Sequence, residues 1–409
     1  MINPENENQE LPSIPPAIWG LGIAVFFVNL SSVMIRSLVP VYMKSVLGVA
    51  TSWIGILEGI VEGLSFLTKL LSGVYSDYLR RRKFIIVLGY TLCLLSRPLM
   101  AIFSTFHAVV AAKILDRLGN GIQASPRDAL VGDLSPQPIR GACYGLRISL
   151  GTAGSFFGAL FGLMLMYWND DDYQKVFWLA SIPAMISVLI MTFMIREPEQ
   201  NMHPKDKQLR KPIHLSDIPR LGRDYWLLMV VVCIFLIAQL GEAIMVLHAH
   251  QNFGLLGKNT PLILLIYNST YSLFSYPAGR LSDQFGRYNV LAVGFVCLIV
   301  GDLLLAYATN VETVLIGVAF CGIQMAVTQS LFMSLVADSV PEDLRGTGFG
   351  MFYLICACSV LISNSAAGLI ADYYGESMSF ICSMFIAIFA LLLLLIISPR
   401  KKQQLETVA

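Results

Sequence analysis

Read for its apolar runs, the 409-residue chain divides at proline, glycine and charged breaks into twelve stretches of membrane-spanning length. They cover 16–44, 51–74, 84–103, 107–132, 139–167, 173–195, 225–251, 259–281, 288–308, 311–336, 343–373 and 376–399. A helix needs about 20 apolar residues to cross a hydrocarbon core about 30 Å thick. Short strands of alternating polarity are absent from the pattern, which excludes an outer-membrane barrel. The one long polar run, 196–224, is basic and proline-rich and separates six stretches from six. The pattern predicts an all-α polytopic membrane protein of twelve transmembrane helices. A tail (1–15) precedes one six-helix bundle (16–195), a linker (196–224) leads to a second (225–399), and a short tail (400–409) follows.

Composition agrees: 56% of residues are hydrophobic, 13% are charged, and mean hydropathy is +0.67. A soluble domain carries about a quarter charged residues to clothe its solvent face. A soluble enzyme, a secreted disulfide scaffold and a disordered chain are therefore excluded. The net charge of +1 offers no basic field for nucleic acid. Lysine and arginine set the orientation. The termini, the central linker and the loops that share their side hold eighteen cations, and the opposite loops hold only Lys44, Lys175 and Lys258. Both termini are thus expected in the cytoplasm of a multi-pass cell-membrane protein, most simply a bacterial inner membrane. The first run is too long for a cleaved signal and lacks a basic leader, so it reads as the first span. The eight cysteines fall inside spans without CxxC spacing and read as apolar fillers, so no metal or cofactor is expected.

The halves repeat. Gly73-Val-Tyr-Ser-Asp77-Tyr-Leu-Arg80-Arg81 follows the second span, and Gly279-Arg-Leu-Ser-Asp283-Gln-Phe-Gly286-Arg287 follows the eighth, 206 residues later. Asp133-Leu-Ser-Pro136 with Arg140-Gly141 follows the fourth, and Asp338-Ser-Val-Pro341 with Arg345-Gly346 follows the tenth, 205 later. Two motifs at nearly one offset define two homologous bundles. Such a pair brackets a site near the midplane and opens it to alternate sides by rocking. In the loop motif, Asp77, Arg81, Asp283 and Arg287 are expected to form a latch that favours one of the two states.

These motifs resemble those of the major facilitator superfamily over essentially the whole chain. Gly73–Arg81 and Gly279–Arg287 match its loop pattern G-x-x-x-D-x-x-G-R, with Arg80 standing where glycine is usual. Arg117-Leu-Gly-Asn-Gly121 is similar to its fourth-helix R-x-x-x-G motif, whose arginine is implicated in coupling or substrate binding. The longer run Asp116–Leu130, which continues to Pro126-Arg127-Asp128-Ala-Leu, resembles one group of bacterial permeases, as does Glu58-Gly-Ile-Val-Glu62 with Lys69. The acids that group carries in its first helix are replaced here by Asn29, Val33 and Arg36. Its fifth helix usually carries an Asp and a Gly-Pro step, and Gly151 and Gly158-Ala159 stand there instead. The resemblance implies a twelve-helix fold and secondary transport.

Charge inside a span costs a few kcal/mol and usually faces a cavity or a partner. The first half holds Arg36, Glu58, Glu62, Lys69, Arg97, Lys113, Asp116, Arg117, Arg127, Asp128 and Arg147, whereas the second has Glu242 and Asp302. Seven cations against four acids point to an anionic substrate, since arginine forks grip carboxylate or phosphate. Arg36, Arg97 and Arg117 are the candidate grips, with Asn120 beside them. Gln239, Asn268, Tyr271, Gln324 and Asn364 form a softer wall from the second half, each also open to a helix–helix hydrogen bond. Glu58, Glu62 and Glu242 are candidate proton carriers, a carboxyl whose affinity for protons changes with desolvation and with a nearby arginine. Lys69, Arg127, Asp128 and Arg147 lie deeper, towards the cytoplasm, and read as a structural network behind the latch.

The expected function is alternating-access transport of a small organic solute. Proton coupling and an anionic cargo, a polycarboxylate or carboxylate siderophore in type, are favoured. Efflux of amphiphilic or cationic compounds is the alternative, and a non-transporting receptor is the alternative of another class. No GxSxG, HExxH or P-loop pattern points to an enzyme. The expected partners are the solute, protons and the bilayer, with the monomer as the working unit.

Overall fold

The computed structural model describes residues 13–79, 81–136, 139–169, 171–195, 220–341 and 344–397, and all regular structure among them is helical. The first half contains α1 (Pro16–Arg36), the short α2 (Val39–Val41) with a π turn over Tyr42–Val46, α3 (Thr51–Leu79), α4 (Arg82–Ile102), α5 (Phe106–Leu134), α6 (Arg140–Trp168), α7 (Tyr173–Leu179) and α8 (Ser181–Phe193). The second half contains α9 (Arg223–Ala238), α10 (Glu242–Phe253), α11 (Pro261–Phe285), α12 (Arg287–Ala306), α13 (Val311–Ser339), α14 (Arg345–Tyr374) and α15 (Glu376–Ile397).

Among the described residues, nine helical segments are long and apolar enough to cross a membrane. Helices α3, α5 and α11, of 29, 29 and 25 residues, match them in length but are interrupted by polar and charged side chains. Large apolar side chains such as Leu71, Leu273 and Phe385 stand exposed on the outer surface. Trp168, Tyr373 and Tyr374 are exposed at helix ends, as expected of a bundle whose solvent is lipid with aromatic residues at its border.

Three runs expected as single spans are broken. Pro40 follows Arg36 by four residues and Pro183 follows Leu179 by four. A proline removes a backbone donor and its ring clashes with the carbonyl four residues back, so α1 stops at Arg36 and α7 at Leu179. The third break, Gln239–Gly241, separates α9 from α10, with Gln239 and Gly241 in extended backbone. Breaking a helix in lipid orphans polar groups that need partners. The Ala238 carbonyl accepts from Ser383 Oγ, the Gln239 carbonyl accepts from Ser363 Oγ (2.8 Å), and the Gly241 N–H donates to Asn364 Oδ1 (3.0 Å).

Helices pack mainly within their own half: α1 on α6 and α8, α4 on α5, α12 on α13 and α15. Between halves the main contacts are α3 with α14 and α6 with α11. The α3–α14 seam is built on absent side chains. A Cβ at Gly55 would lie 2.4 Å from the Asn364 carbonyl oxygen, and one at Gly59 2.8 Å from that of Leu361. Only glycine permits this approach. The repeat also appears as matched ion pairs, Arg82 with Asp133 and Arg287 with Asp338, both members displaced by 205 residues. Arg82, rather than the expected Arg81, is thus the counterpart of Arg287, while Arg81 stands exposed just before α4. The side chains of Asp77 and Asp283 lie outside the described residues.

The apolar cores show where the halves join. At the end that holds α2 and α10, cores are shared: Ala243 and Leu247 pack with Met34 and Leu38, and Val33 and Val41 pack with Leu240 and Ile244. At the opposite end each half has its own core, one around Ile18, Ile86 and Leu130, the other around Tyr225, Leu291 and Leu335. Polar contacts reinforce the shared end. Asp372 of α14 accepts from the backbone N–H groups of Thr51 (2.9 Å) and Ser52 (2.8 Å) at the head of α3. Tyr167 reaches Asn259 (2.8 Å), and Ser45 meets His250 (2.8 Å).

Candidate functional site

Between the halves lies a cavity of about 660 Å³, the size of a small-molecule site. Its charged wall consists of Arg36, Glu58, Glu62, Lys69, Arg127, Asp128, Arg147 and Glu242. The second half adds Gln239, Gly241, Gln329 and Asn364, together with Phe332 and Tyr353. Two of the three helix breaks reach it, after α1 and after α9. Arg36 occupies the last turn of α1 and Glu242 the first turn of α10, where the helix dipoles favour a cation and an anion respectively.

The charges fall into two groups. In the first, Arg36 Nε lies 3.1 Å from Glu242 Oε2, Arg117 Nη1 lies 3.1 Å from Glu62 Oε1, Lys113 pairs with Glu58, and Arg97 pairs with Asp116. Four cations meet four carboxylates, and the group is balanced. In the second, Arg147 Nη2 lies 2.8 Å and Arg127 Nε 3.3 Å from the same oxygen of Asp128. Lys69 completes this group, its ammonium 4.9 Å above the Phe66 ring. Among the described residues no carboxylate comes within ion-pair distance of Lys69. Here three cations share one acid, and all four line the cavity.

This distribution revises the expected roles. Arg97 is buried at 1% exposure and spends its guanidinium on Ser31, Ser32, Ser96 and Asp116, so it ties α1, α4 and α5 together. Arg117 lies with Arg97, Lys113 and Asp116 around a small adjoining recess instead of on the main wall. Asn120 turns back to Asp116, its amide donating to that residue's carbonyl oxygen (3.0 Å). Asn268 donates to the Leu264 carbonyl (2.7 Å), Gln324 to Thr328 (2.9 Å), and Tyr271 to Gln329 (2.6 Å); none of the three is on the cavity wall. Each was a polar group in an apolar run, and each satisfies itself within or between helices. Glu242, which has no local partner in sequence, finds Arg36 across the two halves. Lys69, Arg127, Asp128 and Arg147, expected as scaffolding, are cavity residues. Phe66, Phe332 and Tyr353 of the wall carried no signal, because an aromatic residue in an apolar run also suits lipid.

A helical bundle with apolar flanks and a charged cavity between two repeated halves has the architecture of a membrane transport protein. The family model of the Major Facilitator Superfamily matches residues 21–268 and 243–408, and the chain belongs to that superfamily. It is 26% identical over 400 residues to an uncharacterized MFS-type transporter of Methanocaldococcus jannaschii, covering 97% of this chain and 98% of that one. Among solved structures it is similar to the nucleoside transporter NupG (TM-score 0.73, 14% identity, 94% of this chain and 99% of that chain). It is also similar to the human organic anion transporter MFSD10 (TM-score 0.68, 17% identity, 94% and 100%). At these identities the likeness is one of fold. The protein is a membrane transporter of the MFS type.

Proposed function

We propose that the protein is a proton-coupled secondary transporter of a small organic anion, working as a monomer by alternating access in a bacterial cytoplasmic membrane. In this reading twelve helices span the bilayer, with both termini in the cytoplasm. The shared cores at the α2–α10 end then close the outer side, and the separate cores leave the cavity facing inward. The observation that carries the substrate class is a local one: the wall as a whole sets four cations against four acids, but at one end Lys69, Arg127 and Arg147 gather with Asp128 as their one paired carboxylate. In a low-dielectric chamber such a local cation cluster favours the charged end of an anionic guest, and two guanidinium groups offer planar, paired donors. The anion site therefore moves from Arg36, Arg97 and Arg117 to the three cations nearer the separated end.

Glu62 is the proposed proton carrier: it lines the cavity and holds Arg117 through one oxygen. Protonation would release Arg117, which begins the Arg117–Gly121 run of α5. The test is uptake of radiolabelled di- and tricarboxylates into proteoliposomes with an imposed pH gradient. Gradient-driven movement of an anion, lost on collapse of the gradient, is expected. Movement of cationic dyes with no anion moved would replace this reading by efflux of cationic compounds.

A further inference from the structure

Asp302, about one turn from the C-terminal end of α12, takes no part in the cavity. It is 1% exposed, and among the described residues no lysine, arginine or histidine lies within ion-pair distance. Its Oδ2 lies 2.5 Å from Ser383 Oγ of α15, and its Oδ1 has no hydrogen-bond partner. Ser383 Oγ is also bonded to the Ala238 carbonyl oxygen, the last residue of α9 before the break that lines the cavity.

Proton counting decides the arrangement. A serine hydroxyl has one hydrogen to donate, and a carbonyl oxygen can only accept. The hydroxyl hydrogen therefore goes to Ala238, and the contact with Asp302 is attractive only when Asp302 brings a hydrogen of its own. An ionised Asp302 would take the serine's hydrogen and leave the Ala238 carbonyl orphaned at a helix end inside the bundle. It would also be a buried charge without a counter-ion, far costlier than one unpaired carbonyl-like oxygen.

Among the described residues the surroundings supply no other charge. Of the elements packed on α12, α13 brings Cys321, beside Gly301. Helix α15 brings Ser383 with Cys382 beside it in sequence, and Tyr267 of α11 lies on the cavity wall. Cys297 lies on α12 itself. His248 of α10 reaches α12 only at the Leu305 carbonyl (2.9 Å).

We infer that Asp302 is a proton-binding site outside the cavity, occupied in this conformation, whose protonated carboxyl fastens the broken helix through Ser383. The chain runs from the Asp302 carboxyl O–H to Ser383 Oγ, and from the Ser383 hydroxyl to the Ala238 carbonyl. Loss of the proton would free the end of α9 next to Gln239 and Gly241, so the site can report proton occupancy to the cavity wall.

Infrared spectroscopy of the full-length protein in lipid tests this without any substrate, and so independently of the proposed transport function. At neutral pH we expect a protonated carboxylic acid C=O band that disappears in Asp302→Asn and moves to higher frequency in Ser383→Ala. Asp302→Asn should melt close to the wild type, since its amide can donate to Ser383, whereas Asp302→Leu should melt several degrees lower. If neutral-pH spectra lack a band sensitive to Asp302→Asn, the carboxyl is ionised and the proposal is overturned. If Asp302→Asn and Asp302→Leu melt alike, the donor role is overturned.

Discussion

Arg36, at the end of α1, holds Glu242, at the start of α10, across the two halves of the molecule, Nε to Oε2 at 3.1 Å. Both residues are about a quarter exposed to the cavity, at 29% and 23% of their side chains. Each helix has an end here, so each side chain is joined to a dipole of the opposite sign. The pair therefore joins two broken helices at the point where the halves begin to part. Removing one partner strands the other's charge, a loss of up to about 3 kcal/mol once cavity water is allowed for. Arg36→Ala and Glu242→Ala should each lower the melting temperature and abolish transport. The exchanged pair Arg36→Glu with Glu242→Arg should recover less than full stability, because each charge then meets the wrong helix end. A thermal-shift series on the single and double variants measures this, and full additivity of the two losses would deny the pair any coupling.

The two charge groups predict different outcomes for superficially similar arginines. Arg147→Ala and Lys69→Ala should weaken apparent affinity for the transported anion by about tenfold, equivalent to about 1.4 kcal/mol, and leave the fold intact. Arg97→Ala should instead reduce the yield of folded protein, since Ser31, Ser32, Ser96 and Asp116 each lose the guanidinium donor and Asp116 loses its main buried counter-charge. KM from proteoliposome uptake, set beside size-exclusion profiles, separates the two. Normal affinity in Arg147→Ala would return the anion site to another part of the wall.

How much of this was legible beforehand depended on the kind of contact. Spacing along the chain located the apolar runs and the Arg82–Arg287 neighbourhood, because periodicity and repeat offset are properties of one strand of text. Pro40 and Pro183 were visible too, yet their clash with the carbonyl four residues earlier was needed to see α1 and α7 end. Pairing between distant helices was different. Nothing local distinguishes Arg97, consumed by serines of α1 and α4, from Arg147, which faces the cavity. Depth along a helix gives height in the membrane but not azimuth. Of the mid-depth arginines only Arg36 therefore stands on the main wall, while the deeper Lys69, Arg127 and Arg147 all do. Glu242 and Asn364 were recognisable as intramembrane polar residues, while Ser363 and Ser383 were not, since serines that cap a broken helix look like any small residue in an apolar run.

Glu62 lies on the cavity wall with Arg117 behind it, a placement that lets a proton and a guanidinium compete for one carboxylate. Glu62→Gln keeps the shape and removes the competition. It should abolish gradient-driven accumulation while sparing exchange of labelled for unlabelled substrate, a step that moves no net proton. Counterflow and driven uptake measured in the same vesicles make the comparison. Driven uptake that survives in both Glu62→Gln and Glu58→Gln would place the proton carrier elsewhere.

The α3–α14 seam gives the last prediction. At Gly59 a Cβ would come within 2.8 Å of the Leu361 carbonyl oxygen and 3.2 Å of its Cα. Both are backbone atoms of a long helix, so no rotamer change can relieve the contact and α14 itself must retreat. Helix α14 is pinned at this end by Asp372 on the head of α3. Gly59→Leu should therefore part the end that is closed here and shift the population to the opposite-facing state. Asp372→Ala should act in the same direction more weakly, by removing two hydrogen bonds without forcing the helices apart. Ser52, half-buried beside the Asp372 contact, provides the reporter: as Ser52→Cys, it should react faster with a membrane-impermeant maleimide when Gly59→Leu is added. The added substitution must leave the protein monodisperse for the rates to be compared. Unchanged labelling in such a protein would mean that α14 accommodates the side chain without opening, and that the seam is packing rather than a moving gate.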